Sequence, residues 1–333
     1  MLTKAHGSGN NLAWLVDERG SQALRCHQWS AAPDASSLSF YAPYFSTDQK
    51  PPWLLGQKEQ LYPLQGISQP EVLARHEPSA LDFARVHGEI LSAVARRDFI
   101  KVVPIVIEEL EFLQPLEPAM FPAAFEVRPQ QFSYGFAFNS EGLLGITPEL
   151  LFRVSDGILE TMALAGTGPI DGPDLRRDEK ECREHALVID HIREALAGLG
   201  TMTVGDTVEK PYGLLKHLYT PIQLRLESIP SFDDLVRRLH PTAALGGWPR
   251  SAALKWLKNQ EFHQRRRRFG APFGWQEGEA MMCVVAIRCL QWKGRRAQLA
   301  AGCGVVTGSQ SEREWKELQL KRQAVIKNLG LAL

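Results

Sequence analysis

The stretch Val284–Lys321 reads VVAIRCLQW (284–292), KGRR (293–296), AQLAAGCGVVTG (297–308) and SQSEREWKELQLK (309–321). It predicts an apolar strand, a basic turn, a second apolar strand ending in the glycine-rich run 302–308, and a helix. Glu314, Glu317 and Lys321 are three and four residues apart on that helix, so they lie near one face. Arg288 stands in the middle of the first strand, where a guanidinium among apolar neighbours needs a carboxylate from the protein or from a ligand. Two carboxylates, an ammonium, a guanidinium and free backbone N–H groups in one place suit an anionic small molecule and a hard cation.

Working outward, SALDFARVHGEILSAVARRD (79–98) predicts an amphipathic helix with Ser79 as N-cap and Phe83, Ile90, Leu91 and Val94 inward. FIKVVPIVI (99–107) reads as a strand in which Pro104 marks an edge or bulge. FSYGFAFN (132–139), GLLGITPELLFRV (142–154) and GILETMALAG (157–166) read as consecutive antiparallel strands. A helix follows from about Asp178 to Leu199, then strands near Thr201–Val208 and Leu214–Leu226. Helices fall at Ser231–Leu239 and Ser251–Asn259, and strands at Ala271–Trp275 and Cys283–Trp292. Residues 1–75 are the least legible, with short strand-like pieces (NLAWLV, SLSFYAPYF) between loop signals such as SAAPDASS and DQKPPW. Strands in adjacent groups and helices in blocks give an α+β class with antiparallel sheets rather than a wound βαβ array.

The chain has 333 residues, of which 44% are hydrophobic, enough for a large core in one domain or two closely packed halves. Lys plus Arg equals Asp plus Glu at 38 each, so no overall field recruits nucleic acid or an anionic membrane. The run RRRR at 265–268 lacks interleaved aromatics and reads as a solvated turn. MLTKAHGSGNN carries no apolar leader core, and the longest apolar run, MMCVVAI, is far short of a membrane span. A cytoplasmic protein, monomeric or weakly dimeric, is expected. Five cysteines with no CxxC spacing argue against zinc and against a disulfide framework.

Several residues conflict with their own pattern. Glu184 begins the apolar stripe Glu184, Val188, Ile192, Ala195, Leu199, where an unpaired carboxylate costs several kcal/mol, or else it serves the helix dipole as a first-turn acid. Glu314 opens the stripe of the last helix, and Ser311-x-x-Glu314 is equally a capping box. Glu317 is either a solvated partner of Lys321 or a ligand. Lys101 is either an edge-strand lysine or a functional one. The run Gly302-x-Gly304-x-x-x-Gly308 has its last glycine one residue late for a dinucleotide fingerprint, and Gly304 better serves to let a backbone N–H reach a carboxylate.

These pieces, in this order, resemble the chorismate-utilising enzymes: isochorismate, salicylate, anthranilate and aminodeoxychorismate synthases. The matching segments are Ile100-Lys-Val-Val103, Thr147-Pro-Glu149, Ala163-Leu-Ala-Gly-Thr167, Arg183-Glu-His185, His217-Leu218 with Thr220, residues 240–250 (HPTAALGGWPR), Phe269-Gly270, Ala286-Ile-Arg288, residues 301–306 (AGCGVV), and Glu314-Trp-Lys-Glu317 with Lys321. The resemblance implies two interlocked α/β halves with antiparallel sheets packed face to face and helices outside. In that frame 1–75 is a divergent, shortened N-terminal part and 76–333 the chorismate-binding catalytic region. It implies Mg²⁺ held by Glu184 and Glu317 with Glu314 nearby, gripping the ring carboxylate of chorismate beside the backbone of Gly166 and Thr167. Arg288, Lys321 and the Gly304 N–H would hold the enolpyruvyl carboxylate, with His217 a polar neighbour of the substrate.

Lys101 before Val-Val, where ammonia-using branches usually carry Gln, and Ala165, where the aminodeoxychorismate branch often carries Lys, favour water as nucleophile. Phe269, where salicylate synthases often carry Tyr, favours isochorismate synthase. Water then adds at ring C2 as the C4 hydroxyl leaves, which requires a base and an acid on opposite sides of the ring. Lys101 is the expected base and must be neutral to act, which asks for burial or a nearby cation. Glu149 is the expected acid and must stay protonated, which asks for an apolar setting such as Ile146 and Leu150 offer. A salicylate synthase, an amination subunit and a degenerate chorismate-binding protein are the alternatives. The chain departs from the family pattern in the loop after Thr167, at Ala243, at Val106 and ahead of Phe269, which bears on substrate-loop geometry. Service to menaquinone or siderophore biosynthesis is the expected context.

Overall fold

The computed structural model describes residues 11–47, 52–61 and 69–332. Most of the N-terminal segment read against a leader, and much of the DQKPPW loop signal, lie outside them. Among the described residues, seventeen strands form one continuous antiparallel ribbon. Neighbour by neighbour it runs through Val72–His76, Ile105–Phe112, Arg296–Gly302, Cys289–Lys293, Glu141–Thr147, Phe132–Phe138, Leu12–Asp17 and Gly20–Ser30. It continues through Trp53–Lys58, Ser39–Tyr41, Pro272–Glu277, Ala280–Val285, Leu150–Ser155, Ile158–Pro169 and Leu215–Leu226. The far edge of Leu215–Leu226 carries Gly200–Val204 and Val208–Tyr212 end to end. The strand Gly20–Ser30 joins the two halves, since residues 20–25 pair with Leu12–Asp17 and residues 24–30 with Trp53–Lys58.

The ribbon folds over so that its halves face each other. Alternation along a strand sends Ala13 and Leu15 inward against Phe40, Phe273 and Val284, while Trp14 and Val16 point outward under other cover. Both faces are buried, which is why LAWLV is an unbroken apolar run rather than an alternating one.

The helices are α1 (Ala80–Ala95), α2 (Glu179–Ala195), α3 (Phe232–Leu239), α4 (Arg250–Lys258), α5 (Glu261–Arg265) and α6 (Ser311–Leu329). α2 and α3 cover the outer face of one half through Val188, Ile192, Phe232 and Leu235. The C-terminal half of α6 covers the other through Val325 and Leu329 against Trp14 and Trp292. α1, α4 and the front of α6 gather round the short strand Lys101–Val102, which pairs with Gly247–Trp248. The result is the expected α+β architecture, with antiparallel sheets face to face and helices outside. No helix among the described residues is long and apolar enough to cross a membrane.

The structure corrects several expected boundaries. Cys283–Trp292 is two strands, broken at Ala286–Arg288, where Arg288 takes a φ of 53°. The break sets Arg288 on the wall of a cavity inside the protein. Pro104 and Pro148, unable to donate to a ladder, likewise split their runs into separate strands. Thr201–Val208 divides into the two end-to-end strands named above, and α2 stops at Ala195. On α1, His87 and Ala93 are buried alongside Phe83 and Ile90, and Leu91 and Val94 are only partly so. The basic run is only half solvated, with Arg265 and Arg267 exposed. Arg266 lies buried over the Phe45 ring at 3.5 Å, and buried Arg268 donates to Glu141 and to Ala42 O.

Candidate active site

A cavity opens between the halves of the ribbon, walled in part by Glu149, Thr167, Glu184, His217, Arg288, Gly304 and Lys321. Glu149, Thr167 and Arg288 are each delivered by an irregularity in the sheet, and Glu184 and Lys321 by α2 and α6. At Gly166, with a φ of 75°, the strand Ile158–Pro169 bulges, and its register against Leu215–Leu226 shifts between Ala165 and Thr167. The bulge frees the Thr167 N–H, which donates to Glu181 Oε2 at 2.9 Å. The Thr167 hydroxyl lies 2.9 Å from His217 Nδ1, and Arg288 Nη2 lies 3.2 Å from His217 Nε2. A guanidinium only donates, so Nε2 accepts, and Nδ1 carries the proton it gives to Thr167. Burial, reinforced by Arg288 and Lys321, holds His217 well below the ordinary histidine range and therefore neutral.

Glu149 follows Pro148 at the strand break, and burial raises its carboxyl to about 7 against the opposing pull of Lys101, Lys321 and Arg288. Lys321 Nζ donates to Gly302 O at 2.7 Å and to Glu317 Oε1 at 2.5 Å. Lys101 is fully buried with its Nζ 2.9 Å from Glu184 Oε1, a charge contact without an aligned hydrogen bond. It stands one layer behind the cavity wall, shielded by Glu184. Gly304 is where Glu184 and Lys101 come closest to the backbone, since a Cβ there would collide with Glu184 Oε1 and crowd Lys101 Cε. The expected role for this glycine, freeing an N–H, is joined by one the structure supplies: making room for that pair.

Beside the cavity, and sharing Thr167 with it, lies a cleft walled by residues including Lys180, Glu181, Arg313, Glu314 and Glu317. α2 and α6 bring their carboxylates together here. Glu314 does not close a capping box, because Gln310 is the N-cap of α6 and Glu314 falls one position too late. Its Oε1 instead lies 3.1 Å from Lys180 Nζ, and its Oε2 is buried without a hydrogen-bond partner. Burial raises both Glu181 and Glu314, and in Glu314 the charge of Glu317 adds to it. For Glu184 burial acts in the same direction, but Lys101 and Lys180 overcome it and hold the carboxyl below the ordinary range.

Of the residues the sequence reading singled out, the fold sets Glu149, Thr167, Glu184, His217, Arg288, Gly304 and Lys321 on the cavity wall, Glu314 and Glu317 in the adjoining cleft, Gly166 at the bulge beside Thr167, and Lys101 behind Glu184. The sequence reading missed Lys180 and Glu181. Their signal is spacing: four and three residues before Glu184, both on its helical face.

The sequence matches the family model described as "Chorismate binding enzyme" over residues 52–330. The chain belongs to this family. Among curated members of the chorismate binding enzymes' wider circle, it is 35% identical over 220 residues to isochorismate synthase MenF of Bacillus subtilis, covering 60% of this chain and 45% of that one. It is also 29% identical over 229 residues to anthranilate synthase component 1 of Methanothermobacter thermautotrophicus, covering 64% and 49%. The chain thus spans less than half the length of these two relatives. The solved structure of MenF, the menaquinone-specific isochorismate synthase from Escherichia coli, superposes with a TM-score of 0.79 over 96% of this chain and 88% of that one. Sequence identity in that superposition is 22%, so the likeness is one of fold.

Proposed function

We propose that this chorismate binding enzyme converts chorismate to isochorismate, adding water at ring C2 as the C4 hydroxyl departs, with Mg²⁺ as cofactor. The observation that carries the reading is a buried acid, Glu149, raised to about 7 and facing the same cavity as Arg288 and Lys321. An acid that keeps its proton near neutral pH can hand it to a leaving hydroxyl, and two cations can hold a dianionic substrate against it.

In this reading Arg288 and Lys321 hold the enolpyruvyl carboxylate, and neutral His217, locked between Thr167 and Arg288, orients the guanidinium without adding charge. The backbone at Gly166 and Thr167 borders the ring carboxylate. A C2–O bond forms to water as its proton passes to Lys101 in its neutral form, both ring double bonds shift, and the C4–O bond breaks with the Glu149 proton leaving on that oxygen. Lys101 has to part from Glu184 to reach the cavity. The donor set at Glu184, Glu317 and Glu314 is all oxygen, and the orphaned Glu314 Oε2 fits a site meant to hold a cation, so these residues would hold Mg²⁺. When bound, the ion would supply positive charge to the ring carboxylate.

The test is incubation with chorismate and Mg²⁺ followed by chromatography. Isochorismate is the expected product, and Lys101→Gln and Glu149→Gln each lower turnover by about 10²–10⁴-fold. Failure to form isochorismate sinks the proposal. The similarity to anthranilate synthase component 1 favours one rival, an amination subunit, which predicts product only when ammonium or a glutaminase is supplied. Release of pyruvate and salicylate would indicate a salicylate synthase instead.

A further inference from the structure

The carboxylates of α2 and α6 already enclose a cation, and it belongs to the chain. Lys180 Nζ is 3.1 Å from Glu181 Oε1, 3.1 Å from Glu184 Oε2 and 3.1 Å from Glu314 Oε1. The lysine side chain is 13% exposed, and those of Glu181, Glu184 and Glu314 are 4%, 9% and 3% exposed. Its stem rises from the first turn of α2, so the ammonium reaches the point between the helices from the side of the cleft. Among the described residues, no His, Cys, Asp and Glu side chains are gathered tightly enough to hold a metal ion as they stand. Mg²⁺ needs oxygens at about 2.0–2.1 Å, whereas those round Lys180 stand about 1 Å farther from its nitrogen. One carboxylate oxygen at this point, Glu314 Oε2, is buried with no partner, so a single ammonium leaves the donor set under-used.

Resting on the reading of this cluster as the cation site, we propose that Lys180 is an exchangeable internal cation. It closes the carboxylate cluster until a divalent ion arrives, and then it withdraws into the cleft as the carboxylates contract onto the ion. An ammonium and a divalent ion cannot share one point within contact distance of the same three oxygens. The cleft gives the displaced side chain somewhere to go: its wall also carries Asp174 and Asp178, and it opens to solvent. The lysine therefore does two things. It keeps the four acids of α2 and α6 from repelling one another before the ion binds, and it sets the ion's apparent affinity. That affinity is reduced by the fraction of molecules in which the lysine is in place.

Titrating metal-free protein with Mn²⁺ in a calorimeter tests this without substrate. Lys180→Met, similar in length but uncharged, is expected to bind Mn²⁺ at least about tenfold tighter than wild type. It should also melt at a lower temperature without metal and show a larger rise on saturation. Equal or weaker binding by Lys180→Met overturns the proposal. Wild-type protein that takes up no Mn²⁺ overturns both the proposal and the cation-site reading, whereas wild-type binding with an unchanged variant affinity overturns only the former. A second measurement needs no variant. Acetylation of Lys180 in the wild type, followed by peptide mass spectrometry, should rise severalfold when Mg²⁺ is added. Unchanged or reduced labelling overturns the displacement.

Discussion

Glu149 shows how one side chain ties chemistry to stability. Its carboxyl is raised from 4.5 to about 7 in the folded protein, so between those values the folded state holds a proton that the unfolded chain has released. Stability contributed by the neutral form is present below about 4.5 and is lost as pH rises through about 7. Glu149→Gln should therefore gain stability relative to wild type as pH rises from 5 to 8, by on the order of 3 kcal/mol, in paired denaturant titrations. A constant difference across that range would contradict the burial argument. Arg266 gives a second case. The residue is 1% exposed, with Nη1 and Nη2 lacking hydrogen-bond partners, and burial lowers its guanidinium to about 9. Arg266→Met should leave the melting temperature unchanged or raise it, since replacing a buried charge by an apolar side chain of similar volume is often neutral or stabilising. Glu184, Glu314 and Arg288 were legible in the sequence because each is a charge on a face that should be apolar. Lys180 was not, because a lysine in a helical first turn beside acids looks like any solvated i,i+4 pair.

Elements contribute through their interruptions. The bulge at Gly166 aims the Thr167 N–H at Glu181 and the Thr167 hydroxyl at His217. Gly166→Ala would place a Cβ on a residue with a φ of 75°, 3.1 Å from Leu218 Cδ1. It should cost roughly 1–2 kcal/mol in thermal unfolding and weaken chorismate binding, measured by calorimetry. Unaltered binding would separate the bulge from the site. Helix positions were readable from period and caps, as Ser79 and Asp178 show by accepting from the first turns of α1 and α2. The break at Arg288 was not. MMCVVAIRCLQW is an almost unbroken apolar run, and nothing in its period marks where one strand ends and the next begins.

For the molecule as a whole, the antiparallel α+β class was legible, but the joining of the seventeen strands among the described residues into one ribbon was not, because strand order is set by distant pairings such as Leu12–Asp17 with Phe132–Phe138. Phe273 sits where the two halves meet, its ring against Phe40, Tyr134 and Phe136. Phe273→Ala should cost about 3–5 kcal/mol and leave tryptophan fluorescence and circular dichroism melting together. Two separate transitions would mean that the halves unfold independently. The strand Gly20–Ser30 bears on traffic rather than stability. Because it is hydrogen-bonded to a neighbour in each half, the halves cannot gape like jaws without tearing backbone hydrogen bonds along its length. The adjoining cleft, walled by residues after Thr167 and by side chains such as Arg313 and Lys316, opens to solvent and shares Thr167 with the cavity. A route past those side chains needs no hinge to open the room behind it.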